Sequence, residues 1–195
     1  RIPVIKSEQA QVLTARAYTA PQVALIAAAQ TPRHGLATEL AYAAGLRAHE
    51  LLTLRRGEDR AADPRPALAS KWQGRDGVIY TVHGKGGLVR EVLLPHALAE
   101  RLEAVRLDAP LAITDRGIHY QSHYDIGGGQ RWSNSVSAAS ERALGWSTGA
   151  HGLRHSYAQE RMAELQASLS RDAALTTVSQ EMGHFRPEIT ETYLR

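Results

Sequence analysis

The chain has 195 residues, 43% of them hydrophobic and 22% charged, with 16 glycines and a net charge of +3. This is the composition of one globular domain of ordinary size, and it excludes disordered, fibrous and membrane-embedded classes. The absence of cysteine removes thiol nucleophiles, cysteine-based zinc sites and disulfides together, and fits a reducing compartment.

The longest apolar runs, Val23–Ala29 and Leu40–Leu46, are far too short to span a bilayer. No signal peptide is visible, and an opening Arg1 reads as a piece of a longer protein. The 23 basic residues outnumber the 20 acidic ones only slightly and are dispersed, so the charge permits a polyanionic partner without marking a patch.

Residues Arg1–Arg16, with β-prone Ile2, Val4 and Ile5, read as a linker or docking strand. Thr19 offers an N-cap for a helix with Pro21 in its first turn and Val23, Ile26 and Ala27 on one face. Thr31-Pro32 opens a second helix with Leu36, Leu40 and Ala44 in register and Gly45 as its stop, and Ala48–Leu54 reads as a short third. The period then changes: Val78–Val82 and Leu88–Leu94 flank the Gly-rich segment His83–Gly87 as a β-hairpin. Pro95 ends it, and Ala97–Leu107 returns to helix. Ala109–Gln130, polar and rich in His, Tyr and Gly, reads as a long surface loop. Three helices follow: Ser133–Leu144 stopped by Gly145, one from near Thr148 carrying Leu153, Tyr157 and Met162, and one capped by Ser170 and stopped by Gly183. Pro187 opens a last helix to Arg195. The expected fold is mainly α with a small antiparallel β-sheet.

Several short matches carry little chemistry. Arg33-His34-Gly35 is the triplet of histidine phosphatases, but it lies at a helix start where those enzymes need a strand end. His119/His123 and His151/His155 have metal-ligand spacing yet lack the Glu that zinc peptidases place beside the first His, so no metal is expected. Gly84-Lys85-Gly86-Gly87 is too short for a P-loop and precedes a strand.

One constellation joins the remaining polar residues. Arg47 follows a helix stop, with Glu50 placed to orient it; Lys85 sits at a hairpin tip; His151 and Arg154 are one turn apart at a helix start, where free N–H groups favour phosphate. His184 ends a helix, and Tyr193 follows nine residues later. Taken singly, each has an ordinary explanation: an ion pair, an exposed turn lysine, a capping histidine, a surface aromatic. Lys71, upstream, competes with Lys85, and only the hairpin setting favours the latter.

Taken together and in order, Arg47, Lys85, His151-x-x-Arg154, His184 and Tyr193 resemble the signature of the tyrosine recombinases, the phage integrase family. The local words Gly-Leu-Arg-x-x-Glu-Leu, His-x-Leu-Arg-His-Ser and Gly-His agree, and Arg16-x-Tyr18-Thr19-x-x-Gln22-Val23 is similar to the opening of that family's catalytic domain. Departures are a charged, Pro-containing insertion at Arg55–Asp76, a stretched Glu164–Arg171, Met182 before the Gly-His, and a segment 109–130 with no family motif.

The resemblance implies a catalytic domain over residues 17–195, with 1–16 as the linker from an N-terminal domain that clamps DNA. It implies a site-specific recombinase of a mobile element that cleaves and rejoins double-stranded DNA through a 3′-phosphotyrosyl intermediate, without metal or other cofactor. Tyr193 would be the nucleophile, Arg47 and Arg154 the phosphate clamps, His184 a further phosphate ligand, Lys85 the acid for the departing 5′ oxygen and His151 the general base or a proton relay; Glu50 and His155 would support them. It further implies a protein that is monomeric alone, tetrameric on paired DNA sites, not membrane-bound, and cytoplasmic in a bacterium. Two other readings use the same residues: a type IB topoisomerase-like nicking and closing enzyme, and a DNA-binding module that has lost cleavage.

Overall fold

Thr19 starts the first helix as the sequence predicts. In the computed structural model, which describes residues 15–184 and 186–195, its hydroxyl accepts from the Gln22 N–H while the Gln22 side chain accepts from the Thr19 N–H. This reciprocal capping box satisfies two otherwise orphaned donors of α1, Ala20–Ala28. The β-prone stretch at Ile2–Ile5 lies outside the described residues. Arg16, at the end of the expected linker, is tied down: its carbonyl accepts from Thr148 Oγ1 at 2.7 Å, and its N–H donates to the Arg195 carbonyl.

α2, Pro32–Ala44, ends at Gly45, whose φ of 67° is the left-handed C-cap that glycine adopts without a Cβ penalty. A Cβ there would also lie 2.9 Å from the Tyr157 ring, so the position is closed to side chains twice over. The third helix expected at Ala48–Leu54 shortens to a 3₁₀ turn over Glu50–Thr53, all four residues buried. A two-residue strand, β1 (Arg55–Arg56), then joins the predicted hairpin of β2 (Val78–His83) and β3 (Val89–Leu94), giving an antiparallel sheet in the order β1-β2-β3. The insertion between β1 and β2 laces over the C-terminal helices: the Leu68 N–H donates to Gln180 Oε1, Ser70 Oγ meets Thr177 Oγ1 at 2.7 Å, and the Trp72 N–H donates to Glu181 Oε2.

Two expectations fail here. The helix predicted to Leu107 stops at Glu103 (α3, His96–Glu103), because the chain from Arg106 enters a strand. The predicted loop 109–130 is an antiparallel ribbon, β4 (Arg106–Asp115) paired with β5 (Ile118–Tyr124). Both faces of β4 are largely exposed, so no apolar alternation announces it, and Pro110 falls where the register shifts between Arg106 and Leu111.

The remaining helices are α4 (Gly129–Leu144), α5 (His151–Leu165) and α6 (Arg171–Met182). Ser170 caps α6 through its hydroxyl, and Gly145 and Gly183 close α4 and α6 in the left-handed conformation. The last helix, α7, runs only over Pro187–Glu191 rather than to Arg195, because Tyr193 and Leu194 leave the helix to pack on the α5–α6 cluster. One core gathers α1–α4 around the fully buried Leu40, Trp132 and Leu153; a second unites α5 and α6 through Tyr157, Met162 and Val178.

Candidate active site

The residues of the constellation gather near element ends, with Arg154 in the first turn of α5. Arg47 follows the Gly45 stop, Lys85 opens the short 3₁₀ turn Lys85–Gly87 at the hairpin tip, and His151 begins α5. Arg47, Lys85, His151 and Arg154 line one cleft of about 570 Å³, together with His49 and His83. His184 lies behind it, and Tyr193 is not part of the cleft wall; Arg154 connects the two groups.

Arg154 is 1% exposed. Its Nη1 donates to the Gly45 carbonyl, its Nη2 lies 3.0 Å from His184 Nε2, and its guanidinium carbon sits 5.1 Å from the centre of the Tyr193 ring. Its Nε is buried with no hydrogen-bond partner. Burial foremost, then the neighbouring charge of Arg47, lowers its pKa to about 10. A buried guanidinium with an unused N–H is a donor awaiting an acceptor.

The proton positions around His184 follow from the donors available. Ser179 Oγ donates its single proton to the Leu175 carbonyl, so it accepts from Thr190 Oγ1 at 2.7 Å. Thr190 has then spent its proton and accepts from His184 Nδ1 at 2.8 Å. His184 Nε2 is left as the acceptor of the Arg154 N–H. The imidazole is neutral in this arrangement, and burial, reinforced by the charges of Arg154, Arg47 and Arg90, lowers its pKa to about 3. Tyr193 stacks on this ring at 5.4 Å and 20°, and meets the His155 ring at 5.0 Å and a tilt of 59°. His155 Nδ1 lies 3.0 Å from the Arg195 carbonyl, which fixes its ring beside the tyrosine. His151 stays exposed at the cleft, its pKa lowered by partial desolvation, then by Arg154, Arg47 and Arg16.

Glu50 is fully buried and serves Arg47 as predicted: its carboxylate accepts from the Arg47 N–H at 2.8 Å and from Nη1 at 3.4 Å. The sequence reading missed its other partner. Arg90, on β3, makes a bidentate pair with Glu50 at 2.9 and 3.0 Å and donates to the Glu181 carbonyl at 2.9 Å. Burial alone would raise the Glu50 carboxyl; the charge and hydrogen bonds of Arg90, with Arg154 and Arg47, outweigh it and hold the pKa at about 2. A signal for Arg90 was present, because strict alternation puts it on the same buried face as Val92 and Leu94. Lys71 lies on another cleft, of about 1110 Å³, which His184 also lines, and is 4.4 Å from the centre of the Trp72 ring; Lys85 lines the cleft of Arg47 and Arg154.

No family model matches the chain, and no curated protein is similar to it in sequence. Solved structures do match. The XerH site-specific recombinase in its post-cleavage complex with a palindromic difH substrate superposes with a TM-score of 0.57 at 17% identity, covering 92% of this chain and 49% of that one. The pre-cleavage complex of XerH with difH gives 0.57 at 19% identity, covering 95% and 52%. This chain therefore spans about half the length of each XerH chain. At such identities the likeness is one of architecture, and it agrees with the helices and small antiparallel sheets described above: the chain has the catalytic-domain fold of the tyrosine recombinases.

Proposed function

We propose that this chain is the catalytic domain, over residues 17–195, of a site-specific DNA recombinase that breaks and rejoins strands through a 3′-phosphotyrosyl intermediate. The supporting observation is Arg154, which shares a cleft with Arg47, Lys85 and His151 and at the same time touches His184 and lies against the Tyr193 ring. Phosphoryl transfer by a tyrosine gives each of the six a role in one step.

A phenol, with a pKa of about 10, needs help both in losing its proton and in approaching an anion. The scissile phosphate enters the cleft, and Arg47 and Arg154 take its two non-bridging oxygens, the orphaned Arg154 Nε–H among the donors. Tyr193 leaves its stack and attacks phosphorus in line; His151 accepts the phenolic proton, and Lys85 gives one to the departing 5′ oxygen. The guanidiniums neutralise charge as it gathers on the equatorial oxygens. His184 Nε2, an acceptor in the free protein, can bond the phosphate only after taking up a proton, which the phosphate's negative charge makes favourable. The P–O bond energy is kept in the phosphotyrosine, so a 5′-hydroxyl from another duplex reverses the steps and exchanges strands without a cofactor. Glu50 holds Arg47, and His155 holds the tyrosine ring. Assembly on paired DNA sites, and a DNA-clamping domain joined through residues 1–16, complete the proposal.

Covalent capture on nicked, random-sequence duplexes tests it. The chain forms an adduct that survives denaturing electrophoresis, and Tyr193→Phe, which keeps the ring contacts, forms none. An adduct from both proteins, or from neither, contradicts the assignment.

A further inference from the structure

The ribbon that replaced the expected loop has an unusual setting. A two-stranded hairpin is at best marginally stable by itself, and this one has largely exposed faces along most of β4, with Leu111 and Ile118 among the most exposed large apolar side chains described. It is nevertheless held at both ends. At the base, Tyr124 donates to Glu103 at 2.8 Å, and Arg106 bonds Glu103 at 2.7 Å while lying over the Tyr124 ring. At the tip, Arg116 and Gly117 both have positive φ, the two-residue turn that matches strand twist. The adjoining Asp115 carboxylate accepts from the Gln130 N–H and fills the space a side chain at Gly129 would take. The Gly129 N–H in turn donates to the carbonyl of Ala48, between Arg47 and His49.

This clamp carries the tip to the cleft, whose wall includes Arg116, Ile118 and Tyr120 together with Lys85. The charges gathered there suit a polyanion: Arg47, Lys85, Arg116 and Arg154 face it, the Asp115 carboxylate is engaged by the α4 backbone, and Glu50 is buried against Arg90. Register places Thr114 and Ala112 beside His119 and Gln121 on the other face, all exposed, with His119 Nδ1 bonded to Thr114 Oγ1 at 2.8 Å so that Nε2 is left for another partner. A two-stranded ribbon has the width that the major groove of B-DNA admits, and glutamine and arginine are the side chains that read base edges there.

We propose that the β4–β5 ribbon is a sequence-reading element that enters the major groove of duplex DNA beside the cleaved phosphate, with Arg116 on the backbone at its tip and His119 and Gln121 on base edges. This rests on the reading of the cleft as a DNA-cleaving site. It assigns to residues 106–124, for which no family motif is present, the task of selecting where the tyrosine attacks.

The cysteine-free chain allows a direct test. Gln121→Cys is cross-linked through a disulfide to pools of nicked random duplexes bearing a thiol tether on cytosine N4, in the major groove, or on guanine N2, in the minor groove, while the tyrosyl adduct is read on the same gel. The expected result is cross-linking to the N4 tether, confined to base pairs flanking the adduct. An adduct with no cross-link, or with cross-linking to the N2 tether alone, overturns the ribbon's role; a cross-link to the N4 tether with no adduct upholds the ribbon's place in the major groove and overturns the cleavage reading, and with it the ribbon's place beside a cleaved phosphate. As a second measurement, the doubly substituted His119→Ala, Gln121→Ala chain loses about tenfold to a hundredfold in base preference at those positions, and Arg116→Ala lowers the salt slope of binding by about one. Unchanged preference in captured sequences also overturns it.

Discussion

Arg154 Nη2 and His184 Nε2 lie 3.0 Å apart, and through that contact the start of α5 meets the end of α6. The same arginine holds the Gly45 carbonyl and faces the Tyr193 ring, so Gly45, His184 and Tyr193 converge on one side chain.

Arg154→Ala therefore separates chemistry from binding. Cleavage at saturating protein falls by a thousandfold or more, on the order of losing a preorganised transition-state donor, while duplex affinity falls only modestly because phosphate contacts elsewhere remain. Capture rates and binding isotherms, measured side by side, check this. Activity and affinity falling in proportion would contradict it. Stability shifts by about 1–3 kcal/mol as the Gly45 carbonyl and His184 lose their donor.

Glu50 and Arg90 form a buried pair whose halves are not independent. Arg90→Met leaves the Glu50 carboxylate buried without its bidentate partner, with only the weaker influence of Arg154 and Arg47, and destabilises the fold by about 3–5 kcal/mol. Combining it with Glu50→Gln recovers part of that loss, and a double-mutant cycle in urea gives a coupling energy above about 1 kcal/mol. Additive single effects would show that the pair does not act as a unit.

The hydrogen-bond chain Ser179–Thr190–His184–Arg154 fixes the His184 tautomer as Nδ1–H. Thr190→Val keeps the volume and deletes the acceptor. It costs about 1–2 kcal/mol, and the ring's ¹⁵N shifts change from one tautomer to a mixture. A wild-type spectrum already showing the Nε2–H form would refute the assignment.

Stability falls in acid for a stated reason. His184 is held neutral in the fold, with its pKa lowered from 6.5 to about 3 by burial and by the arginines around it, and burial lowers His151 and His155 as well. The unfolded chain binds protons that the native state refuses, so the stabilisation is complete above pH 6.5 and is lost progressively as pH drops toward 3. Unfolding free energies from urea titrations fall between pH 7 and pH 5, by about 1–2 kcal/mol for His184 alone. His184→Gln has a shallower dependence over that interval; an identical slope would place the acid sensitivity elsewhere.

Much of the fold was legible because its signals are local. Thr19 with Gln22, Ser170, and the stops at Gly45, Gly145 and Gly183 each act through the backbone within one turn, and each sits where the sequence places it. The β2–β3 hairpin was legible from its turn, but β1, β4 and β5 were not. A two-residue strand has no period to detect, and a ribbon exposed on both faces has no apolar alternation. Arg90 went unnoticed because an arginine in a strand is usually solvated, whereas here a carboxylate from another segment draws it inward.

Sequence by itself determined the order Arg47, Lys85, His151, Arg154, His184 and Tyr193 and the helix and hairpin signals beside them. Only the tertiary structure decided that Arg154 is buried with a spare N–H, that Glu50 is shared between Arg47 and Arg90, that Tyr193 stacks on His184 and meets His155 away from the cleft wall, and that a ribbon reaches the cleft from β4 and β5. Caps and turns depend on neighbours a few residues away. Charge burial, proton placement and stacking depend on which distant segments the core forces into contact.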